Sequence, residues 1–324
     1  MQRVPNDHPV ELSAPDISIY REGNTGVPYF TSFDSGRAGP HVALTALVHG
    51  NELCGAIALD HLLRSEVRPL AGCLTLGFIN TDAYEAFDPA DPTTSRFVDE
   101  DFNRLWSPAI LGGTRQSCEL TRAREIWPLV DTVDHLLDIH SMQNRTPPLM
   151  MAGPLDKNLA LARAIATPHF VVRDAGHAAG PRLRDYGGFA EAYSPRSALL
   201  VECGQHWESE SAAVAIDAAY RFLLHFGLIS KEMAEPHLRP LPATQAVIAV
   251  DRAVTVQTDA FEFAQDFRGL EVLAEGDPIG MDGDTPVTAP YDDCVLIMPS
   301  RRLWPGQTAV RLGRIERKVP TAVG

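Results

Sequence analysis

The chain has 324 residues, 45% of them hydrophobic and 22% charged, with a formal net charge of −14 and a sequence pI near 5.2. That length buries a full core and suits one large domain with a smaller one. The acidic balance argues against a nucleic-acid partner and an anionic membrane surface, since each wants a basic face. No apolar run approaches a membrane span. Residues 1–17 carry Asp7, Glu11 and Asp16 in place of an apolar stretch, so they do not read as a secretory signal. Five cysteines without Cys-x-x-Cys spacing suit reduced thiols in the cytoplasm.

Val42 to Val48 is a short apolar run that stops at His49-Gly50-Asn51-Glu52, and so reads as a buried strand ending in a polar cluster. An imidazole and a carboxylate three residues apart at such a point suit a metal. Zinc in hydrolases takes three N and O ligands and keeps a fourth position for water. Leu53 to Leu63 follows with apolar residues near helical spacing. After a second strand at residues 74–79, Phe87 to Thr94 is rich in proline and aspartate, which favour turns, and reads as an active-site loop. It leads into Arg96 to Arg104. There, Asn103 and Arg104 suit a carboxylate, which a guanidinium fork binds bidentately, and Arg96 suits polarisation of a carbonyl.

A strand at residues 135–139 ends at His140, the best candidate for the third metal ligand. A strand at 148–152 and a helix over Leu155 to Ala166 come next. Asp174 to Gly188 carries four glycines besides His177 and Pro181, and backbone freedom of that kind suits the border of a pocket. The strand at 197–201 ends at Glu202, the natural general base for taking a proton from water at a metal. Ala212 to Phe226 is again helical. This alternation predicts a mostly parallel mixed sheet flanked by helices, which gathers ligands at the carboxyl ends of its strands.

The helical pattern stops at Pro236, Pro240 and Pro242. The boundary divides the chain into a catalytic α/β domain at residues 1–238 and a small all-β domain at 239–324. Gln245 to Val256, Thr285 to Ala289, Cys294 to Met298 and Thr308 to Leu312 read as the strands of the latter.

The order His49-x-x-Glu52, Arg96, Asn103-Arg104, His140 and Glu202 resembles the aspartoacylase and succinylglutamate desuccinylase family, distant relatives of the zinc carboxypeptidases. The resemblance spans the catalytic domain. It implies one Zn²⁺ per chain, held by His49 and Glu52 in the family's His-Gly-Asn-Glu segment and by His140 in its Asp-Leu-His type segment. Asp101-Phe102-Asn103-Arg104 is similar to the family's Asp-Leu-Asn-Arg segment, which implies carboxylate recognition by Asn103 and Arg104 and places Arg96 as the carbonyl-polarising arginine. Val201-Glu202-Cys203-Gly204 matches its Val-Glu-x-Gly segment and implies Glu202 as base or proton shuttle. Beyond Gly204 the chain departs, reading Gln205-His206-Trp207 where characterised aspartoacylases have a proline-containing turn. No arginine stands clearly at their further substrate-binding place. Arg182, Arg184, Arg196 and His177 are candidates for that contact, each read first as a structural or surface residue.

Val287 through Gly306 resembles the lipoyl- and biotinyl-like β-sandwich ending of bacterial family members, with Met298-Pro299-Ser300 where a carrier lysine would stand. The small domain is therefore expected to shape or cover the pocket, or to mediate assembly, and its one tyrosine, Tyr291, reads first as a packed residue and second as one that reaches the active site. Together these features point to a cytoplasmic zinc amidohydrolase that removes a short acyl group from an N-acyl amino acid or a similar small carboxylate-bearing amide. Two other readings stand beside it. One is a metallocarboxypeptidase acting on short peptides, which uses the same zinc and arginine chemistry. The other is a catalytically silent small-ligand-binding protein of the same fold. The acyl group, the amino acid and the oligomeric state, a homo-oligomer included, are left open.

Overall fold

The computed structural model describes residues 6–176 and 179–321. His177 lies outside the described residues. The first part of the chain forms β1 (Phe30–Asp34), β2 (His41–Ala46), α1 (Leu53–Arg64), β3 (Cys73–Phe78), α2 (Thr81–Glu85), α3 (Pro108–Leu111), α4 (Cys118–Val130), β4 (His135–Met142), β5 (Leu149–Met151), α5 (Asp156–Ile165), β6 (Phe170–Arg173), β7 (Ser197–Gln205), α6 (Ser209–His225) and α7 (Lys231–Ala234). The remainder forms β8 (Thr244–Thr255), β9 (Phe261–Phe263), β10 (Val272–Leu273), β11 (Pro278–Asp282), β12 (Thr285–Thr288), β13 (Cys294–Ile297) and β14 (Thr308–Pro320).

Eleven strands join in the order β1-β3-β2-β4-β7-β5-β6-β8-β14-β13-β10, and β12-β11-β9 make a separate small sheet. The centre, β3-β2-β4-β7, is parallel. β1 and β5 run antiparallel to their neighbours β3 and β7, and β8-β14-β13-β10 are antiparallel throughout. This is the mixed α/β architecture, with a small C-terminal antiparallel sheet, that the sequence predicts.

Side chains of a strand alternate between the two faces of the sheet, and the central strands obey that period. Leu44, Leu137 and Leu199 turn to one face, where Leu59 and Leu62 of α1 and Phe222 and Leu223 of α6 share their core. Ala43, Leu136 and Ala198, one residue away on the same strands, turn to the other face and pack with Leu120, Ala123 and Ile126 of α4. Counting on by two from Leu136 and Ala198 reaches Asp138 and His140 on β4, and Leu200 and Glu202 on β7. The polar residues at these strand ends therefore sit on the α4 face.

The elements not anticipated include α4, β1 and β6. α4 alternates its apolar positions with Arg122, Arg124 and Glu125 and contains Pro128, so its periodic signal is weak. It is held by its start, where the Ser117 side chain accepts from the Leu120 N–H, and by the face it buries. β1 and β6 are five and four residues long and gain their order from a neighbour rather than from any pattern of their own.

β8 is the seam of the molecule. Ala246 to Ala249 pair in parallel with Phe170 to Arg173 of β6, and the same strand pairs along its length with β14. Ile248 packs there with Val172, Leu200, Val295 and Ile297, so one core cluster draws on both halves of the chain. Tyr291 is packed in the C-terminal part, with the Arg314 guanidinium 3.7 Å from its ring centroid. No helix among the described residues is long and apolar enough to cross a membrane. Ile248→Ala should lower stability by about 2–5 kcal/mol in urea unfolding. Hydrogen exchange should show β6 and β14 losing protection together, and loss confined to β14 would contradict a shared core.

Candidate functional site

In parallel register, Thr45 of β2 lies opposite Asp138 of β4, and His140 lies opposite Glu202 of β7. The buried Asp138 carboxylate uses both oxygens: Oδ1 accepts from the Thr45 hydroxyl at 2.7 Å and Oδ2 lies 2.8 Å from His140 Nε2. Nδ1 of His140 is thereby turned inward. His49 comes from the loop beyond β2, where Leu47 takes φ +62°. Gly50 makes the loop possible. A Cβ there would fall 2.4 Å from the Ala83 carbonyl carbon and 2.6 Å from the Ser95 oxygen, and its N–H donates to the Arg96 carbonyl at 3.0 Å. Only glycine lets the loop lie this close to the turn that carries Arg96. Glu52 then sits just before α1, where the helix dipole favours a negative charge.

The three candidate ligands converge. Glu52 Oε1 lies 2.7 Å from His49 Nδ1 and Glu52 Oε2 lies 2.8 Å from His140 Nδ1. One ligand atom from each of the three falls within 4.8 Å of the other two, and all three residues are buried. Burial pushes the Glu52 carboxyl up, but the two imidazoles outweigh it and hold the group well below the usual carboxylate range. Burial likewise opposes the charged form of His140, while Asp138 and Glu52 hold it well above the ordinary imidazole value. On the outer side, Asp101 Oδ1 lies 3.1 Å from His49 Nε2. The tautomer with the proton on Nε2 donates to Asp101 and offers the Nδ1 lone pair inward; the other accepts from Arg96 Nη2 at 2.7 Å. Carboxylates behind both imidazoles are the usual outer partners of metal-binding histidines.

Arg96 lies over this cluster, with Nη1 3.4 Å from Glu52 Oε1, Nη2 3.3 Å from Asp101 Oδ2, and Nε buried without a partner among the described residues. Asn103 uses its side-chain oxygen to accept from the Leu183 N–H at 2.9 Å, and its Nδ2 lies 3.4 Å from His140 Nε2. Arg104 donates to the Asn103 carbonyl at 2.6 Å and lies 3.6 Å from Asp101. Glu202 is 6% exposed, and its Oε2 has no hydrogen-bond partner among the described residues. Burial above all, with the Glu52 charge added, pushes its carboxyl up to about 8, and a cation in the cluster would pull it down again.

All seven sequence-predicted residues, His49, Glu52, Arg96, Asn103, Arg104, His140 and Glu202, line a single cavity of about 120 Å³. Of the further arginine candidates, Arg182 lines it as well and pairs with Asp174 at 2.5 Å. Arg184 and Arg196 instead donate to the backbone carbonyls of Ala152, Val133 and Val130. The sequence reading did not single out Asp101, Asp138, His206, Arg302 or Arg311. Asp101 and Asp138 carried a signal, each lying two residues before a chosen residue. Arg302 and Arg311 carried none, because they reach the cavity from beyond Pro242 by way of the β13–β14 region. Asn144 helps hold that region in place, donating to the Pro299 carbonyl at 2.8 Å and accepting from Arg301 Nε at 2.8 Å.

A mixed sheet bearing a buried histidine, glutamate and histidine at its strand ends defines an α/β protein with a candidate metal centre. The family model described as the succinylglutamate desuccinylase/aspartoacylase catalytic domain matches residues 38–217, and the chain belongs to this family of deacylases. Among solved structures, the ectoine utilization protein EutE (DoeB) from Ruegeria pomeroyi is similar, at TM-score 0.64 and 19% identity over 89% of each chain. Succinylglutamate desuccinylase from Vibrio parahaemolyticus gives TM-score 0.62 and 19% identity over 85% of this chain and 82% of its own. A succinylglutamate desuccinylase/aspartoacylase from Rhodobacter sphaeroides gives TM-score 0.62 and 19% identity over 86% of this chain and 87% of its own. These likenesses concern the fold. No curated protein matches the sequence.

If the cluster takes a metal, Asp138→Asn should weaken its retention about 10- to 100-fold in a chelator competition, because the mutant amide can no longer fix the His140 ring in the same way. Unchanged retention would mean that Asp138 does not orient His140 for a metal.

Proposed function

We propose that the protein is a zinc-dependent amidohydrolase that removes a short acyl group from an N-acyl amino acid or a similar small carboxylate-bearing amide. The observation that carries this reading is the convergence of His49, Glu52 and His140 beside the unpartnered carboxylate oxygen of Glu202, in one cavity. Two imidazoles and a carboxylate are a donor set that zinc takes in hydrolases, and Asp138 and Asp101 supply the outer carboxylates that such ligands use. Zinc held there by His49, Glu52 and His140 would supply Lewis acidity and lower the pKa of a water towards ~7.

The protein's own groups do the rest. Glu202 accepts the proton of the attacking water and returns it to the nitrogen that leaves, so the amide and one water become a carboxylate and an amine. Its lack of a hydrogen-bond partner leaves Oε2 available for that exchange. Arg96, held in place by Glu52 and Asp101, offers its guanidinium to the carbonyl oxygen as negative charge develops there. Arg104 and the Asn103 amide hold the substrate carboxylate and fix its orientation. In this reading residues 1–238 carry the chemistry and residues 239–324 close the cavity from one side. A small cavity bounded by Met298, Pro299, Ser300 and Arg302 favours a small amide over a peptide.

The test is turnover of a pool of N-acetyl and N-succinyl amino acids and short peptides by zinc-loaded protein, followed by mass spectrometry. Free amino acid from the acylated compounds is the expected product, whereas loss of C-terminal residues from peptides would make the protein a carboxypeptidase. Glu202→Gln should keep its zinc and lose about 10²- to 10⁴-fold in rate; near-normal turnover would remove Glu202 from the base role. Arg104→Ala should raise KM and lower kcat/KM for carboxylate-bearing substrates, and unaltered kinetics on all of them would refute the clamp.

A further inference from the structure

Arg96 and the Asn103-Arg104 pair stand at the two ends of one short stretch of chain, and residues 97–100 between them form neither helix nor strand. Val98 is 49% exposed and Asp99 is exposed as well, so side-chain burial does little to hold the middle of that stretch. No ladder receives its backbone N–H groups. Three of them in succession, from Val98, Asp99 and Glu100, donate instead to one side chain, Glu119 of α4.

Glu119 lies in the first turn of α4 and is 0% exposed. Its Oε1 accepts from the Val98 N–H at 2.6 Å and from Asn80 Nδ2 at 3.1 Å, and its Oε2 from the Asp99 N–H at 3.0 Å and the Glu100 N–H at 3.2 Å. Four donors fill the accepting capacity of a carboxylate. The contact is returned, since the Asp99 carboxylate accepts from the Cys118 N–H at 2.7 Å, where the helix leaves its first donors unpaired. Asn80 extends the connection to the other side of the site: its N–H donates to the Leu47 carbonyl at 2.9 Å, two residues before His49. Glu119 therefore stands between the loop that carries His49 and the loop that carries Arg96. A carboxylate buried this deeply costs more than an apolar residue at the same place on α4 unless its bonds are all made. Glu119 does not line the cavity, so the proposed reaction gives it no direct task.

We infer that Glu119 is a positioning residue. It fixes the backbone of residues 98–100 and so sets the spacing between Arg96, which meets the carbonyl, and Asn103 and Arg104, which hold the substrate carboxylate. The inference rests on the proposed function for the tasks of those three residues. Glu119→Gln keeps the shape of the side chain but turns one oxygen into an NH₂ group, which faces two donors and accepts from neither. The arginines then lose their spacing while His49, Glu52 and His140 keep theirs on the sheet.

Glu119→Gln should retain zinc and lose about 10²-fold in kcat/KM on the best acylated amino acid, the size expected of a misplacement near 1 Å. In the Arg96→Ala background the same change should cost far less, because the group it positions is gone; losses that multiply in the double variant overturn the inference. The wild-type protein decides even where the variant does not fold. Amide exchange at Val98, Asp99 and Glu100 should be slowed about tenfold or more by bonds to a charged acceptor, and unprotected amides there overturn the inference. A signal independent of turnover is the Arg96 Nε–H resonance, assigned by its loss in Arg96→Lys. It should shift in Glu119→Gln while that of Arg196, bonded to the Val133 carbonyl at 2.7 Å, stays in place. An unmoved Arg96 resonance overturns the inference. A shifted one in a protein that cleaves no acylated amino acid keeps Glu119 as the positioning residue of Arg96 and removes the proposed reaction.

Discussion

The structure of the site depends on a carboxylate buried between two imidazoles. Glu52 touches His49 with one oxygen and His140 with the other, far from solvent. Removing three ionisable groups from water is costly unless each is paired and hydrogen-bonded. The surrounding sequence meets that demand residue by residue. Thr45 satisfies Asp138, Asp138 orients His140, Asp101 stands behind His49, and Gly50 lets the loop pass close enough for Arg96 to reach over the cluster. Such a cluster contributes little net stability, because desolvation offsets most of its Coulombic gain. Its value lies in a fixed geometry, with inner nitrogens and carboxylate oxygens converging on one point.

The field in the cavity opposes that of the whole chain. The protein carries a formal charge of −14, yet Arg96, Arg104, Arg182, Arg302 and Arg311 all line one cavity. Asp174 neutralises part of this set by bridging Arg182 and Arg311, which also ties the strand β14 to the loop after β6. The low dielectric of the cavity strengthens what remains, whereas charges on the outer surface are screened by water and salt. Net charge therefore describes the partners of the surface and not the ligand of the cavity.

The fold and the inner part of the site were largely legible in the sequence. β2, β4 and β7 are buried almost along their whole length, so each reads locally as an unbroken apolar run, and each run stops where apolar residues give way to His49, His140 or Glu202. The same logic missed α4, whose apolar positions are interrupted by arginines and Pro128, and it missed β1 and β6, which are too short to show a period. Asn103 and Arg104 were legible as a pair, but the use of the Asn103 oxygen by the Leu183 N–H was not, because that contact spans eighty residues.

By itself the sequence determined the residue types and their places at strand ends, because hydrophobic period and the limits of an apolar run are written within a few neighbouring positions. Only the tertiary structure decided which charges share a cavity. Arg302 and Arg311 reach the candidate site because β8 pairs with both β6 and β14, carrying the C-terminal strands onto the edge of the same sheet. His206 enters it because β7 continues past Glu202 to Gln205, beside the end of β4. Such pairings are made by backbone hydrogen bonds and packed faces between distant segments, and no local pattern of residues specifies which two will meet.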